Sequence, residues 1–211
     1  MRVVVPFDAT TPKTRLAPVL DADERDAFAR CMLRDVLAAA APLGSVEVVA
    51  TSPVDVDASA SVRVDDAPLS AVVDRAVAET VGAEGAERHP LVVVMADLAL
   101  ATPDALTRLV DTDGDVVLVP GRGVGTNALV VRTPDFRTDF HGTSYLDHRE
   151  AAAAVGTVGT VDSFRLSTDV DEPADLVEAF VHGGASTREW LASRFELVVG
   201  DDEGRVRLSR R

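Results

Sequence analysis

The chain has 211 residues, enough for one domain with a substantial core, and its 35 acidic and 21 basic side chains give a net charge of −14. That charge argues against a nucleic-acid partner, because a protein that neutralises phosphates needs a basic face. Asp outnumbers Glu by 24 to 11, and 20 of the 21 basic residues are Arg, so that Lys13 is the only lysine. Short carboxylates with almost no lysine indicate a protein kept soluble in concentrated salt.

The single cysteine, Cys31, excludes a disulfide framework, a CxxC pair and a thiolate zinc site within one chain. We interpret it as part of the core and not as a nucleophile. The longest apolar runs, such as residues 91–96, have the length of a strand and are too short for a membrane span, and no signal peptide opens the chain. We therefore expect a cytoplasmic protein with no membrane partner. No repeat or linker divides the sequence, which predicts a single domain over residues 1–211.

Short β-branched runs alternate with longer amphipathic stretches, a pattern typical of an α/β domain with a mainly parallel sheet flanked by helices. The predicted strands are Val3–Pro6, Val46–Thr51, Val62–Val64, Leu91–Met95, Val116–Val119, Asn127–Val131 and Val158–Val161, with a strand pair in the tail around Gly200–Gly204. The predicted helices run from a capping box at Asp21 and Glu24 to Pro42, over Leu69–Val81, from Thr102-Pro103, and over Ser144–Val155 and Pro173–Val181.

An unusually long connection, residues 8–21, separates the first predicted strand from the first helix. Such βα connections usually have two to six residues, and longer ones are often functional. Ligands of open α/β sheets bind outside the carboxyl ends of the strands, where this loop begins. The loop carries Lys13 and Arg15, and a polyphosphate needs cations of this kind held close to it. The alternative is a solvated pair of loop cations.

Three aspartates are candidate metal ligands. Asp97 ends the apolar strand that begins at Leu91, and Thr102 can cap the following helix in its place. Asp169 and Asp171 alternate directly before a helix, so an extended backbone would point both carboxylates to one side. Carboxylates at strand ends commonly hold Mg²⁺ together with substrate phosphates. Capping of the next helix is the alternative for Asp169 or Asp171.

Two further segments carry weaker signals. The glycines of residues 121–125 are spaced as GxGxG but open no helix, so this segment is either a turn or a ligand loop and is no dinucleotide fingerprint. Thr143 and Ser144 precede a predicted helix with Asp147 three residues after Ser144, which indicates capping or, alternatively, a small anion at the helix N-terminus. His141 and His148 flank this turn without metal-ligand spacing, so a structural hydrogen-bonding role is the better interpretation for both.

Taken together, six segments of the sequence resemble those of the CofC family, the 2-phospho-L-lactate guanylyltransferases of deazaflavin coenzyme F-420 biosynthesis. The segments are Val-Pro-Phe, Pro-Lys-Thr-Arg-Leu, Met-Ala-Asp-Leu, Gly-Val-Gly-Thr-Asn-Ala-Leu, Phe-His-Gly-Thr-Ser-Tyr-Leu-Asp-His and Asp-Val-Asp-Glu-Pro-Ala-Asp-Leu. The resemblance covers the chain from its first strand to about residue 181. The resemblance implies a nucleotidyltransferase fold of the GT-A or Rossmann-like type. It also implies transfer of GMP from GTP to 2-phospho-L-lactate with release of pyrophosphate, and a homodimer.

The resemblance also implies a role for each matching residue. Lys13 and Arg15 would bind the GTP triphosphate, and both, with Asp97, would take part in catalysis. Mg²⁺ would be held by Asp97, Asp169 and Asp171, with Asp171 favoured over Asp169. The three-carbon acceptor would be bound by the hydroxyls of Thr126 and Ser144 and by the backbone at His141 and Gly142.

Four positions depart from the family pattern. Asp8 stands where many relatives carry a lysine, Ala99 where a proline often follows Asp-Leu, and His141 where glycine is usual, while Pro68-Leu69-Ser70 replaces a frequent Gly-Leu-Asn. The chemistry needs no general base, because the acceptor phosphate is already ionised when it attacks the α-phosphorus. Four alternatives remain open at this stage: phosphoenolpyruvate as acceptor, another nucleotidyltransferase such as a molybdenum cofactor type, a glycosyltransferase suggested by the DxD of residues 169–171, and a non-catalytic nucleotide-binding regulator.

Overall fold

The computed structural model describes residues 1–56, 60–82, 89–199 and 206–211, and strands alternate with helices through most of them. The strands are β1 (Arg2–Phe7), β2 (Ser45–Ala50), β3 (Ala60–Val64), β4 (Leu91–Val94), β5 (Val116–Pro120), β6 (Thr126–Val131), β7 (Val158–Thr160), β8 (Phe195–Val199) and β9 (Val206–Arg210). The helices are α1 (Ala22–Ala40), α2 (Leu69–Thr80), α3 (Pro103–Asp111), α4 (Ser144–Val155), α5 (Phe164–Ser167), α6 (Leu176–His182) and α7 (Ala185–Ala192), with 3-10 turns at Thr14–Leu16, Ala41–Leu43 and Pro173–Asp175.

Seven of these strands form one sheet in the order β3-β2-β1-β4-β6-β5-β7. Strand β6 runs antiparallel to both of its neighbours, β4 and β5, whereas the pairs β1-β2, β1-β4, β2-β3 and β5-β7 are parallel. The start of β6 therefore lies at the same edge of the sheet as the carboxyl ends of the other six strands. This confirms the predicted α/β fold with a mainly parallel mixed sheet, and it places the residues around Thr126 at the ligand-binding edge.

The sheet buries both of its faces, as its apolar strands predict. In β1, Val3 and Val5 face a core shared with α1, α3 and α7, while Val4 faces a second core shared with α2 and α4. This alternation is the two-residue period of a strand packed on both sides. Cys31 is buried in the first core, and burial raises the pKa of its thiol, which confirms its interpretation as a core residue.

Two helix starts that the sequence signals are confirmed in atomic detail. Asp21 and Glu24 exchange side chain to backbone hydrogen bonds in a capping box at the start of α1. Thr102 caps α3 by accepting a hydrogen bond from the N–H of Ala105, 3.3 Å away, with Pro103 in the first turn. Because Thr102 caps α3, the carboxylate of Asp97 is available for other contacts, as predicted.

The sequence did not predict helices α5 and α7, and the start of α7 shows the reason. The Gly183-Gly184 pair ends α6 as expected, but the unpredicted α7 begins at the next residue. The carboxylate of buried Asp35, in α1, accepts hydrogen bonds from the N–H groups of Ser186 and Thr187 at 2.9 and 2.8 Å. A cap supplied from 151 residues away leaves no local sequence signal. The short helix α5 was also missed.

The remaining boundaries agree with the prediction to within a few residues. The long loop after β1 is not wholly irregular, because it contains the 3-10 turn at Thr14–Leu16. The predicted strand pair of the tail is present as β8 paired antiparallel with β9, and residues 200–204, around which it was predicted, lie outside the described residues. Within the described ranges, no helix has both the length and the apolar character that crossing a bilayer requires.

Candidate active site

The ligand-binding edge of the sheet brings together three segments that are far apart in sequence. The loop after β1 contributes Lys13, the loop after β4 contributes Asp97, and the segment between α5 and α6 contributes Asp171. The backbone N–H of Val170 donates to the carbonyl of Asp97 over 3.2 Å, which fixes the third segment against the second. Both carboxylates are thereby held within hydrogen-bond distance of one ammonium group.

Lys13 is the centre of this cluster. Its Nζ lies 2.7 Å from Oδ2 of Asp97 and 2.6 Å from Oδ1 of Asp171, and 11% of its side chain is exposed. Burial by itself disfavours the charged ammonium, but the two carboxylates outweigh it and raise the pKa of Lys13. The only lysine in the chain is therefore a buried, fully charged cation between two acids.

The backbone of Lys13 adopts an uncommon conformation. Its φ of 55° and ψ of 43° place a non-glycine residue in the left-handed region, which costs on the order of 1–3 kcal/mol. The carbonyl of Lys13 then accepts a hydrogen bond from the N–H of Leu16, whose buried side chain anchors the 3-10 turn in the core. The anchored turn stabilises the conformation that points the ammonium at the two aspartates.

Arg15 belongs to the same cluster but is held more loosely. Its guanidinium lies 3.4 Å from Oδ2 of Asp171, and 69% of its side chain is exposed. Exposed ion pairs of this length add little to stability. Arg15 can therefore turn toward an incoming anion without disturbing the fold.

These groups line one side of a cavity of about 470 Å³, which is large enough for a nucleotide. The cavity is also lined by Ala67 and Leu69, just before and at the start of α2, by Thr51 after β2, and by Asp8 and Asp65. Its lining thus combines charged groups with apolar side chains. Such a combination suits a ligand that has both a flat base and a polyphosphate.

Asp169 lies beside this cluster and is held by a residue that the sequence analysis overlooked. The side-chain amide of buried Asn127, in β6, donates to Oδ1 of Asp169 over 3.1 Å and to the carbonyl of Leu166 over 3.0 Å. Burial raises the pKa of Asp169, and the neighbouring Asp97 adds to this effect, while the bond from Asn127 opposes it. A buried asparagine inside the apolar strand Thr126–Val131 is the signal that could have identified Asn127.

The carboxylates of Asp97, Asp169 and Asp171 are ligands of the kind that a hard divalent cation prefers. One of their oxygens, Oδ1 of Asp97, is buried and has no hydrogen-bond partner among the residues that the structure describes. A buried unpartnered carboxylate oxygen needs an explanation, and a cation supplied with a ligand would satisfy it. Within the described part of the chain, no group of three or more His, Cys, Asp or Glu side chains is arranged to hold a metal ion by itself. Mg²⁺ often takes only one or two carboxylates and completes its shell with phosphates and water, so the residues remain compatible with it.

The predicted acceptor residues form a second cluster at the start of β6 and α4. The backbone N–H of Thr126 donates to Oγ of Ser144 over 3.1 Å, and Oγ1 of Thr126 lies 2.8 Å from Nδ1 of His148. All three side chains are buried. The structure therefore brings Thr126 and Ser144 together, as the resemblance implied, although neither lines the cavity around Lys13.

His141 and Gly142 lie on the exposed turn before α4. The ring of His141 is paired with acids, its Nε2 lying 3.2 Å from Oδ2 of Asp147. A Cβ atom added to Gly142 would meet nothing within 4 Å, so the space beside this residue is open to a ligand. The backbone of this turn is therefore accessible, while the His141 side chain is directed at its own neighbours.

Several of the competing interpretations can now be settled. Ser144 is the first residue of α4 and not its cap, and the N-cap Thr143 makes no side-chain capping bond, so the capping interpretation was wrong for both hydroxyls. Glu172, and neither Asp169 nor Asp171, is the N-cap of the turn at Pro173–Asp175, in a capping box with Asp175. The acidic pair is therefore free of the capping role. The glycine-rich segment is the β5-β6 hairpin turn, closed by a bond from Gly121 N–H to the Gly125 carbonyl.

The departures from the family pattern have local structural uses. Asp8 lines the cavity, and its Oδ1 accepts bonds from the Thr10 N–H and the Thr51 hydroxyl, so it organises the loop that carries Lys13. Ser70 accepts a bond from the N–H of Phe140 over 2.8 Å and so ties α2 to the turn before α4. Ala99 uses its carbonyl to receive the N–H of Gly184.

A sheet of this order, with a cationic loop after its first strand and paired acids at the ends of later elements, has the groups that bind a nucleotide polyphosphate. Solved structures agree with this fold. A protein described as a nucleotide-diphospho-sugar transferase from Desulfovibrio desulfuricans G20 matches 91% of this chain and 94% of its own with a TM-score of 0.69 at 17% identity. A nucleotidyl transferase from Methanothermobacter thermautotroptrophicus matches 91% and 98% with a TM-score of 0.54 at 15% identity.

The chain belongs to the family described as guanylyl transferase CofC like, which matches residues 1–210. Two relatives named 2-phospho-L-lactate guanylyltransferase match this chain over its whole length. The Halomicrobium mukohataei protein is 56% identical over all of both chains, and the Haloterrigena turkmenica protein is 53% identical over all of this chain and 97% of its own. The Haloferax volcanii protein of the same name is 57% identical over 90% of each. The protein is therefore an enzyme, a nucleotidyltransferase.

Proposed function

We propose that this enzyme transfers the guanylyl group of GTP to the phosphate of 2-phospho-L-lactate, giving lactyl-2-diphospho-5′-guanosine and pyrophosphate in coenzyme F-420 biosynthesis. The observation that carries the proposal is the Lys13 ammonium, held between Asp97 and Asp171 in a nucleotide-sized cavity. The three relatives named above, each more than half identical to this chain, support the same acceptor and nucleotide.

The nucleotide side of the reaction rests on the charged cluster. Lys13 and the exposed Arg15 would bind the triphosphate, with its base against the wall that contains Ala67 and Leu69. Asp97, Asp169 and Asp171 would hold Mg²⁺, which when bound neutralises phosphate oxygens and stabilises the leaving pyrophosphate. An incoming triphosphate competes with the aspartates for Lys13. The Lys13 ammonium would then exchange part of its contact with the two carboxylates for contact with phosphate oxygens. Arg15 adds charge at the mouth of the site.

The acceptor side rests on the start of β6 and α4. The hydroxyls of Thr126 and Ser144 and the open backbone at His141 and Gly142 would bind the carboxylate and phosphate of the three-carbon acid. A phosphate oxygen of the acceptor, ionised at neutral pH, attacks the α-phosphorus of GTP in line, a new P–O bond forms, and the bond to pyrophosphate breaks. No protein base takes part in this step. A homodimer and a cytoplasmic location remain predictions beside this proposal.

A matrix of substrates tests the proposal. The protein in concentrated salt is incubated with each of GTP, ATP, CTP and UTP, with either 2-phospho-L-lactate or phosphoenolpyruvate, with and without Mg²⁺, and pyrophosphate is measured. We expect release with GTP and phospholactate that depends on Mg²⁺. Faster release with phosphoenolpyruvate would change the acceptor. Faster release with another nucleotide would overturn the guanylyl assignment, and no release with any pair would favour a nucleotide-binding regulator.

A further inference from the structure

His148 is a buried histidine that the proposed reaction does not use, and its two ring nitrogens have different partners. It is 1% exposed and lies in α4, with Phe136 and Phe140 packed edge-on against its ring. Nε2 lies 2.9 Å from the backbone nitrogen of Asp139, and Nδ1 lies 2.8 Å from Oγ1 of Thr126. The backbone N–H of Asp139 can only donate, so Nε2 must accept.

This contact fixes the tautomer of the ring. A neutral imidazole whose Nε2 accepts carries its proton on Nδ1, so Nδ1–H donates to the hydroxyl oxygen of Thr126. Burial lowers the pKa of His148 to about 4, although nearby Asp139, Asp147 and Asp74 oppose the shift. The neighbouring His141 adds to the lowering. The ring is therefore neutral at neutral pH, with one tautomer selected by the backbone.

The hydroxyl oxygen of Ser144, like that of Thr126, accepts a hydrogen bond from the protein. Its donor is the backbone N–H of Thr126, 3.1 Å away. Each of the two oxygens thus already receives a hydrogen bond from the protein, which leaves each hydroxyl proton available to donate outward. The N–H groups of Ser144, Tyr145 and Leu146, the first three of α4, are bonded to the carbonyls of His141, Val124 and Thr143. Because these three amides are occupied, an anion at this end of the helix would be bound through the hydroxyl protons, beside the open backbone of His141 and Gly142.

We propose that His148 is a positioning residue that orients the Thr126 hydroxyl as a hydrogen-bond donor toward the anionic acceptor of the reaction. The hydroxyls of Thr126 and Ser144 then form a neutral cradle of two donors, suited to a carboxylate or phosphate oxygen of a small phosphorylated acid. The inference rests on the proposed function, because it assumes that the acceptor binds beside Thr126. It adds that recognition on this side depends on the direction of hydroxyl protons and not on charge.

Substitutions that each preserve one of the two hydrogen bonds of His148 provide the test. In H148N, the side-chain amide can replace Nδ1–H and still donate to Thr126. In H148Q, the longer side chain can replace Nε2 as acceptor for Asp139 but leaves Thr126 without its donor. We expect H148Q to raise the KM for 2-phospho-L-lactate about tenfold with an unchanged KM for GTP, which corresponds to about 1.4 kcal/mol. We expect H148N to restore most of that loss.

A double-mutant cycle with T126V separates positioning from packing. Valine preserves the shape of threonine without the hydroxyl, so T126V should raise the same KM as H148Q does. Adding H148Q to T126V should then cause little further change, because the interaction has already been removed. Additive effects, equal changes in the two KM values, or equal damage by H148N and H148Q would overturn the proposal and leave His148 a merely structural residue.

The tautomer can also be measured without substitution or turnover. A ¹⁵N NMR spectrum of the histidine rings of the whole protein, assigned with H148N or, if that variant does not fold, with T126V, reports which ring nitrogen of His148 carries the proton. A proton on Nδ1 supports the proposal, and a proton on Nε2 overturns it. Failure of the proposed function and failure of this proposal can be told apart. Absence of pyrophosphate release by the wild-type protein would count against the proposed function. The tautomer of His148 and the binding of phospholactate, measured by calorimetry, would still test the cradle.

Discussion

The two sides of the site are built on opposite physical principles. The proposed nucleotide side places Lys13 and Arg15 against carboxylates in an open cavity, so its chemistry is that of charge against charge. The proposed acceptor side consists of the buried neutral groups of Thr126, Ser144 and His148. One side can rearrange its partners when a ligand arrives, whereas the other is locked into the packing of β6 and α4.

The difference fits the proposed reaction, in which a chain with a net charge of −14 binds two anions. Charges are screened within about 3 Å at 1 M salt, so an exposed cation such as Arg15 attracts anions only at contact distance. Hydrogen bonds from neutral, buried hydroxyls are affected much less by salt. The buried Lys13 combines both properties, because its charge is held where screening is weak.

The largest expected effect comes from removing charge at the centre of the nucleotide side. We expect Asp97→Asn to lower kcat/KM for pyrophosphate release about a thousandfold, or about 4 kcal/mol, because Asp97 both holds Lys13 and carries the unpartnered oxygen available to a cation. The matched control is Asp104→Asn, which removes an exposed carboxylate from the first turn of α3. Unchanged pyrophosphate release by Asp97→Asn would show that the charged cluster is not the reaction centre.

The next effect concerns the only lysine. We expect Lys13→Met to lower kcat/KM for GTP about a hundredfold while the KM for the acceptor stays within about threefold, because methionine keeps the length of the side chain without its charge. Arg108→Met, on the exposed side of α3, is the control for a general loss of positive charge. If both variants behave alike, overall charge and not the position of Lys13 governs GTP binding.

The neutrality of the acceptor side can be measured as a pH dependence of stability. The pKa of His148 is about 4 in the folded protein against 6.5 for an ordinary histidine, so below pH 6.5 the unfolded chain binds a proton that the folded chain does not. His148 therefore makes the free energy of unfolding fall as the pH is lowered from about 6.5 to 4, by about 2 kcal/mol at pH 5. Urea denaturation of the wild type and H148N at pH 7 and pH 5 should show this fall only in the wild type. An equal fall in both would mean that His148 is not held neutral.

The smallest effect should come from the residue that connects the two sides. Asn127 follows Thr126 in β6 and donates to Asp169, so Asn127→Ala should disturb the acid cluster without removing a charge. We expect kcat to fall about tenfold, in line with the loss of one hydrogen bond to a charged group, with a smaller rise in both KM values. An effect confined to the KM for the acceptor would place Asn127 in the acceptor side alone.

Much of this site was predictable from the sequence because its signals are local. The long loop with Lys13, the acid after the strand that begins at Leu91, and the Asp169-Val-Asp171 pair can each be identified within a few residues. The roles that were missed depend on distant partners. The structural hydrogen-bonding role predicted for His148 is confirmed, but its partners Thr126 and Asp139 leave no signal in the sequence. Asn127 contacts Asp169 from another element, and α7 begins on the carboxylate of Asp35 in α1.

The sequence by itself determined the α/β class, the two-faced strands and which residue types could bind anions, because the spacing of apolar residues and the exclusion of lysine are properties of the chain alone. Only the tertiary structure decided that β6 runs antiparallel, which brings the start of that strand to the edge where the other strands end. It also decided that Lys13 is paired with Asp97 and Asp171 and that Nδ1 of His148 lies 2.8 Å from Oγ1 of Thr126. The physical reason is that Lys13 pairs with acids 84 and 158 residues away and His148 contacts Thr126, 22 residues away, and only packing brings these groups within hydrogen-bond distance.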